Sequence, residues 1–358
     1  MRRRLPLLGL GAAAVAAVLA IGLVGGSRAF SAVARRVEAF RLRPRVLTGA
    51  ETFETVTITE QALVPQTGAF DAEAGDDLAL VDFDNIRLLQ STTLVERQRV
   101  ELGGDARTRW SDASRLARLG GALVVVDTGG GLDDVRVHGL DGTERWRYRP
   151  DADVPPTSLV PGDLDGDGDL EFYASITSHA VRLDGAGGEV WRVPLVSGRI
   201  TATAPRTRRD PAWIVADGQG EMVVWDDRGA RLAAVHMKDA RPLGVIDWPD
   251  GRYVLAGGSA LRAVALDGRV VFDWAVADMT ITQALPLSLD AGAPSAVALV
   301  ATGRGDGWRL QIVSRDKTLI YDEILGAPTE LLKARAADGE DRLFLRRAGL
   351  LALRRRAG

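Results

Sequence analysis

Beyond residue 50 the hydrophobic positions fall into short runs of about five to eight residues, each closed by a turn carrying Gly or Asp. Stripes at the helical period appear only near the N-terminus. Leu123–Asp127, Val135–Leu140, the turn Asp141-Gly142 and Arg145–Tyr148 form one unit: apolar run, turn, apolar run, turn, third strand. Leu170–Ser175, Ala180–Leu183, Asp184–Gly188 and Val190–Val193 repeat it, and so do Ala212–Ala216, Glu221–Trp225, Asp226–Gly229 and Arg231–His236. Tyr253–Ala256, Leu261–Leu266, Asp267-Gly268 and Val270–Ala275 make another copy, with first and sixth copies at Asp77–Val100 and Ala296–Ile324. The third strand carries a Trp in three copies: Trp146, Trp191 and Trp274.

A period of about 36–46 residues points to a propeller, because one such unit cannot bury both faces of its strands alone. The expected fold is all-β: a single β-propeller of about seven four-stranded blades over residues 50–358. Innermost strands are expected at Thr157–Leu164, Ile200–Pro205, Pro242–Trp248, Ile281–Ser288 and Pro328–Ala334, whereas Ala106–Gly121 reads poorly as one. The last copy, Asp341–Arg355, supplies two strands, and the alternating Thr52–Thr59 has no partner near it. We expect it to complete the seventh blade and close the ring.

The N-terminus departs from this rhythm. Arg2, Arg3 and Arg4 precede an uncharged stretch, Leu5–Gly26, long enough to span a hydrocarbon core as a transmembrane helix. Residues 1–26 are therefore expected to be a basic N-terminus with an anchor. A cleaved signal is the other outcome, with Ala32-Val33-Ala34 as its small-x-small site. Residues 27–49 form a juxtamembrane segment, in which Phe30, Val33, Val37 and Phe40 recur at helical spacing before Pro44. Arginines lie on both sides of the stretch, so the positive-inside count is not one-sided. The propeller is expected outside the cytoplasm, in the periplasm or at the cell surface, since the first three Arg abut the apolar core.

Composition narrows the chemistry. A net charge of -3 excludes nucleic acid as a bulk electrostatic partner, and the absence of Cys removes disulfides and thiolate chemistry. The chain has only three His, too scattered for a His-built metal site. The strongest signal is Asp163-Leu164-Asp165-Gly166-Asp167-Gly168-Asp169-Leu170-Glu171. Carboxylates at positions 1, 3, 5 and 9 suit a hard cation, with Gly at the sharp turn and a backbone carbonyl at position 7. Calcium is the expected ion, with Asp163, Asp165, Asp167 and Glu171 as side-chain ligands and Asp169 as carbonyl donor. Position 12 is Ala174 and strand-like residues follow, so a hairpin between the first two strands of blade three suits the loop better than an EF-hand.

The run Gly162–Glu171, followed by Phe172-Tyr173-Ala174-Ser175, a short strand and a Gly-containing turn ending at Trp191, resembles the FG-GAP or VCBS repeat. The resemblance implies a calcium-braced blade in a secreted or surface-facing interaction domain. Only blade three carries the full acidic motif. The Trp-ended turns are also similar to those of quinone-cofactor dehydrogenase propellers, although Trp that packs blades together explains them as well. The adjacent pairs Asp76-Asp77, Asp133-Asp134 and Asp226-Asp227 read as turn residues, because strand neighbours face opposite ways. No catalytic residues can be named. The leading expectation is a non-enzymatic, membrane-tethered scaffold that binds a protein or glycan. The alternative is an extracytoplasmic enzyme, quinone-dependent or polysaccharide-acting. Ionisable groups converging in the central funnel would favour the enzyme.

Overall fold

Each apolar run of the repeat is a strand in the computed structural model of the chain. The structure describes residues 53–59, 64–70, 75–81, 85–102, 115–127, 134–149, 158–176, 178–195, 198–218, 220–303, 307–347 and 349–355. All of them belong to one unit, Leu47–Gly358. Strand β1 (Phe53–Thr59) comes first. Blade 1 is β2 (Val64–Gly68), β3 (Asp77–Val81), β4 (Asn85–Gln90) and β5 (Glu96–Glu101); blade 2 is β6 (Arg115–Leu119), β7 (Ala122–Asp127), β8 (Val135–Gly139) and β9 (Glu144–Tyr148). Blade 3 is β10 (Ser158–Gly162), β11 (Glu171–Ile176), β12 (His179–Leu183) and β13 (Glu189–Pro194); blade 4 is β14 (Arg199–Ala204), β15 (Trp213–Gly218), β16 (Glu221–Trp225) and β17 (Arg231–His236). Blade 5 is β18 (Ala240–Trp248), β19 (Gly251–Gly258), β20 (Ala260–Val264) and β21 (Val270–Ala275); blade 6 is β22 (Met279–Leu287), β23 (Ala296–Gly303), β24 (Trp308–Ser314) and β25 (Leu319–Leu325). Blade 7 is β26 (Glu330–Arg335), β27 (Asp341–Arg346) and β28 (Leu350–Arg355), completed by β1, which pairs antiparallel with β28 from Phe53↔Arg355 to Thr59↔Leu350.

This is an all-β propeller of seven four-stranded blades, closed by joining the first strand to the last three. The second strand of a blade explains why its apolar run does not alternate. In β3, Leu78 and Leu80 face blade 7 while Ala79 and Val81 face blade 2. In β23, Ala296, Ala298 and Val300 face blade 7 while Val297, Leu299 and Ala301 face blade 5. Each of these strands is buried on both sides, so both side-chain rows are apolar. Seven hydrophobic clusters result, one at each junction between neighbouring blades.

Two devices recur at the junctions. At the inner strands, Gln66 Oε1 accepts the Leu116 N–H (2.7 Å), Ser158 Oγ accepts that of Ile200 (3.0 Å), and Gln283 Oε1 accepts that of Leu331 (3.0 Å). At the outer strands, the indole N–H of Trp146, Trp191 and Trp274 reaches Gly185 O, Asp227 O and Gln311 Oε1 of the following blade. These tryptophans therefore pack blades together. Every blade but the seventh runs from its inner strand outward, so the inner strands all enter from the same end of the ring. The turns after the first and third strands share the opposite end. Among the described residues no helix is long and apolar enough to cross a membrane. The anchor expected at Leu5–Gly26, the juxtamembrane segment and Gly129-Gly130-Gly131 lie outside the described residues.

Candidate functional site

The acidic loop lies where the sequence puts it, between β10 and β11, the first two strands of blade 3. The antiparallel register brings Gly162 opposite Glu171, so the chain must reverse over Asp163–Leu170. Gly166 and Gly168 make the reversal at φ +81° and +91°, where a Cβ would be strained. The carboxylates organise the loop around them. Asp163 Oδ1 accepts the Gly166 N–H (2.8 Å) and its Oδ2 that of Gly168 (3.1 Å). Asp165 Oδ1 accepts from Asp167 N (3.3 Å), and Asp167 Oδ1 from Asp169 N (2.8 Å). Side-chain oxygens of Asp163, Asp165, Asp167 and Glu171 all lie within 4.8 Å of one another.

Glu171 is the buried member, 3% exposed, and accepts the Leu164 N–H (3.2 Å) and the Tyr173 hydroxyl (3.3 Å). Burial pushes its carboxyl above the usual range, only partly offset by the Leu164 N–H and by Arg182. Burial also raises the Asp165 carboxyl, but hydrogen bonds from Arg182 and Asp167 outweigh it and leave the group below its ordinary value. Among the described residues Arg182 Nη2 is the one cation in contact, 2.8 Å from Asp165 Oδ2 and 3.2 Å from Glu171 Oε1. A single guanidinium against four converging carboxylates leaves an excess of negative charge. The donor set, all hard oxygens around a tight turn, fits a divalent cation of the calcium type. Arg182 thus bonds two of the four carboxylates while its Nη1 donates to Asp227 O of blade 4.

The adjacent Asp pairs are turn or strand-edge residues, as their sequence suggests, yet a member of each is buried against cations. Asp134 bonds Arg136 through both oxygens, Asp227 meets Arg206 at 2.7 Å, and Asp77 lies 3.9 Å from Arg97. Asp133 lies outside the described residues.

Sequence reasoning expected a central funnel but singled out none of its lining residues. Its cavity of about 650 Å³ is lined by inner strands of all seven blades. Four arginines (Arg115, Arg199, Arg241 and Arg346) and one glutamate, Glu330, line it. Ionisable groups thus converge in the funnel, but they are guanidiniums save for Glu330, whose Oε2 lies 3.1 Å from Arg346 Nη1. The available signal was an Arg at or beside the first residue of an inner strand, immediately before Leu116, Ile200 and Pro242.

No protein-family model matches the chain, and no curated protein matches it in sequence. Solved structures do match in fold. A crystal structure of BBS1N in complex with ARL6DN superposes with TM-score 0.60 at 11% identity, covering 84% of this chain and 94% of that one. A streptogramin B lyase structure gives TM-score 0.55 at 13% identity, covering 85% and 98%. Hsv2 of Kluyvelomyces marxianus gives 0.50 at 11%, covering 76% and 85%. At these identities the likeness establishes the propeller fold and nothing finer.

Proposed function

We infer that the protein is a non-enzymatic binding propeller, tethered to a membrane by its N-terminal segment, whose turn-bearing face is braced by calcium and meets a protein or glycan. The observation that carries this reading is the convergence of Asp163, Asp165, Asp167 and Glu171 on one hydrogen-bonded turn of that face. Asp169 would add its carbonyl, and the ion would offset the negative charge that Arg182 alone leaves. The motif's resemblance to FG-GAP or VCBS repeats and the extracytoplasmic placement belong to the same reading, since calcium is abundant outside cells. The uncharged Leu5–Gly26 behind three arginines supports the tether. The likeness to BBS1N, whose crystal structure holds ARL6DN, supports a protein partner.

The funnel charges and the likeness to a lyase keep an enzyme as the second reading. Against it, the one described proton-transfer group lining the channel, Glu330, is ion-paired. Cross-linking of full-length protein in isolated membranes separates the two. Binding predicts calcium-dependent cross-links to a second macromolecule from turn-face residues such as Arg209 and Lys317. Cross-links that ignore calcium, or turnover of a polysaccharide or of an alcohol with quinone, would reject the reading. The tether itself predicts that alkaline carbonate leaves the protein in the membrane pellet, and release into the supernatant would refute it.

A further inference from the structure

We propose that the channel mouth opposite the acidic turns is a binding site for a small oxyanion, a polycarboxylate or phosphate compound, gripped by Arg199 and Arg241. Arg199 opens β14 and Arg241 is the second residue of β18, so neighbouring blades present both at the same end of the ring. Both are exposed and both line the channel. Neither side chain has an ion-pair or hydrogen-bond partner among the described residues, although those of most other described arginines do. Arg206, Arg252 and Arg309, for example, each hold a carboxylate.

The fold itself does not need a cation at these positions. The inner-strand clip at β14 uses the backbone N–H of Ile200, the residue after Arg199. Arg115 opens β6, and Arg346 ends β27 beside Glu330, so the lining carries four positive charges against one negative. A concave, low-dielectric wall focuses such a field. Pro161, Pro242, Leu243 and Leu332 supply apolar wall, and Thr201 and Thr282 add hydroxyls. A cavity of about 650 Å³ has the size of a small-molecule site. Guanidinium forks match carboxylate and phosphate oxygens two at a time. Asp239 and Asp278 sit in the turns entering β18 and β22 at this same end, and Asp217 stands opposite Arg199 in the ladder, but none of them lines the channel, whose wall keeps its excess of arginine.

Calorimetric titration of the full-length protein at low salt tests the proposal, with citrate, inorganic pyrophosphate and a hexaglutamate peptide as probes. Citrate or pyrophosphate is expected to bind one-to-one, and their relative affinity tells carboxylate from phosphate preference. Arg199→Gln and Arg241→Gln together should weaken that binding at least ~10-fold, about the loss expected for a charge-assisted contact. The ligand-free melting temperature should stay unchanged. Each single substitution should give a smaller loss, which serves if the double variant folds poorly. Arg228→Gln, on the opposite face, should change nothing. Failure of both small anions to bind, binding indifferent to the channel substitutions, or binding of the peptide alone would overturn the proposal, the last assigning the mouth to an acidic chain.

Discussion

Gly187 and Gly229 show how single residues hold neighbouring blades together. Each sits in the turn before the outermost strand at φ of +83° and +80°, and each lies under the Trp of the preceding blade. A Cβ at Gly187 would fall 2.6 Å from Trp146 Cε3. Gly187→Ala combines a left-handed backbone with a steric clash and should cost about 2–4 kcal/mol, read as a lower urea midpoint. In blade 6 the same turn puts Lys317 at φ +65°, with Lys317 N bonded to Ser314 O as Gly187 N is to Asp184 O. Lys317→Gly should therefore raise the midpoint, by up to about 1 kcal/mol, because the exposed Lys317–Asp273 pair contributes little. A lower midpoint would show that turn strain is not the governing term. These residues were legible in sequence: the Asp–Gly turns and the Trp recur one repeat apart, and the Trp hydrogen bonds span 36, 37 and 39 residues.

Among the elements, β1 decides whether the ring stays shut. It covers the edge of β28, and its Ile58 packs on the cluster between blades 7 and 1. Deleting residues 53–59 should lower the melting temperature sharply and favour association through the bared strand edge; unchanged melting of a monomer would defeat this closure. The same junction carries a two-way bond, with Asp76 N donating to Arg335 O (2.6 Å) and Arg335 N to Asp76 Oδ2 (2.7 Å). Burial raises the Asp76 carboxyl above its ordinary value despite the Arg335 N–H. A raised carboxyl favours the fold most below the unfolded-state value and loses that contribution as pH climbs through the folded one. Asp76→Asn keeps an acceptor for Arg335 N. It should match or exceed the parent's melting temperature at neutral pH, with the difference vanishing in acid; a neutral-pH loss would show that the charge is needed. Inner strands were less legible than the rest. Five were expected from their apolar runs, but β2 reads VPQTG, where Pro and Gly argue against a strand, and β6 reads RLARL. One face of an inner strand borders a channel rather than a core, so its pattern is free to lose hydrophobicity. The arginines went unread because an Arg beside the start of an inner strand marks a site only once the closed ring brings several together.

At the scale of the whole molecule the acidic cluster and the channel arginines occupy opposite ends of the ring. Asp163, Asp165, Asp167 and Glu171 converge in a turn at one end, and arginines line the channel mouth at the other. The seven-bladed fold followed from the repeat period and the acidic turn from its spacing, both being local patterns. The proposed partner is not encoded that way, because a face built of turns from several blades exists only in the closed ring. The proposed function requires that the acidic turn take calcium and so brace the face it assigns to a partner. Thermal melting of the full-length protein, with calcium against chelator, tests it most directly. An ion bound only by the folded chain must raise the melting temperature, and a dissociation constant of roughly 10⁻⁵ to 10⁻³ M is expected for such a loop. Asp165→Ala should remove the rise while leaving the fold intact. Identical melting of the parent protein in calcium and in chelator would contradict the account.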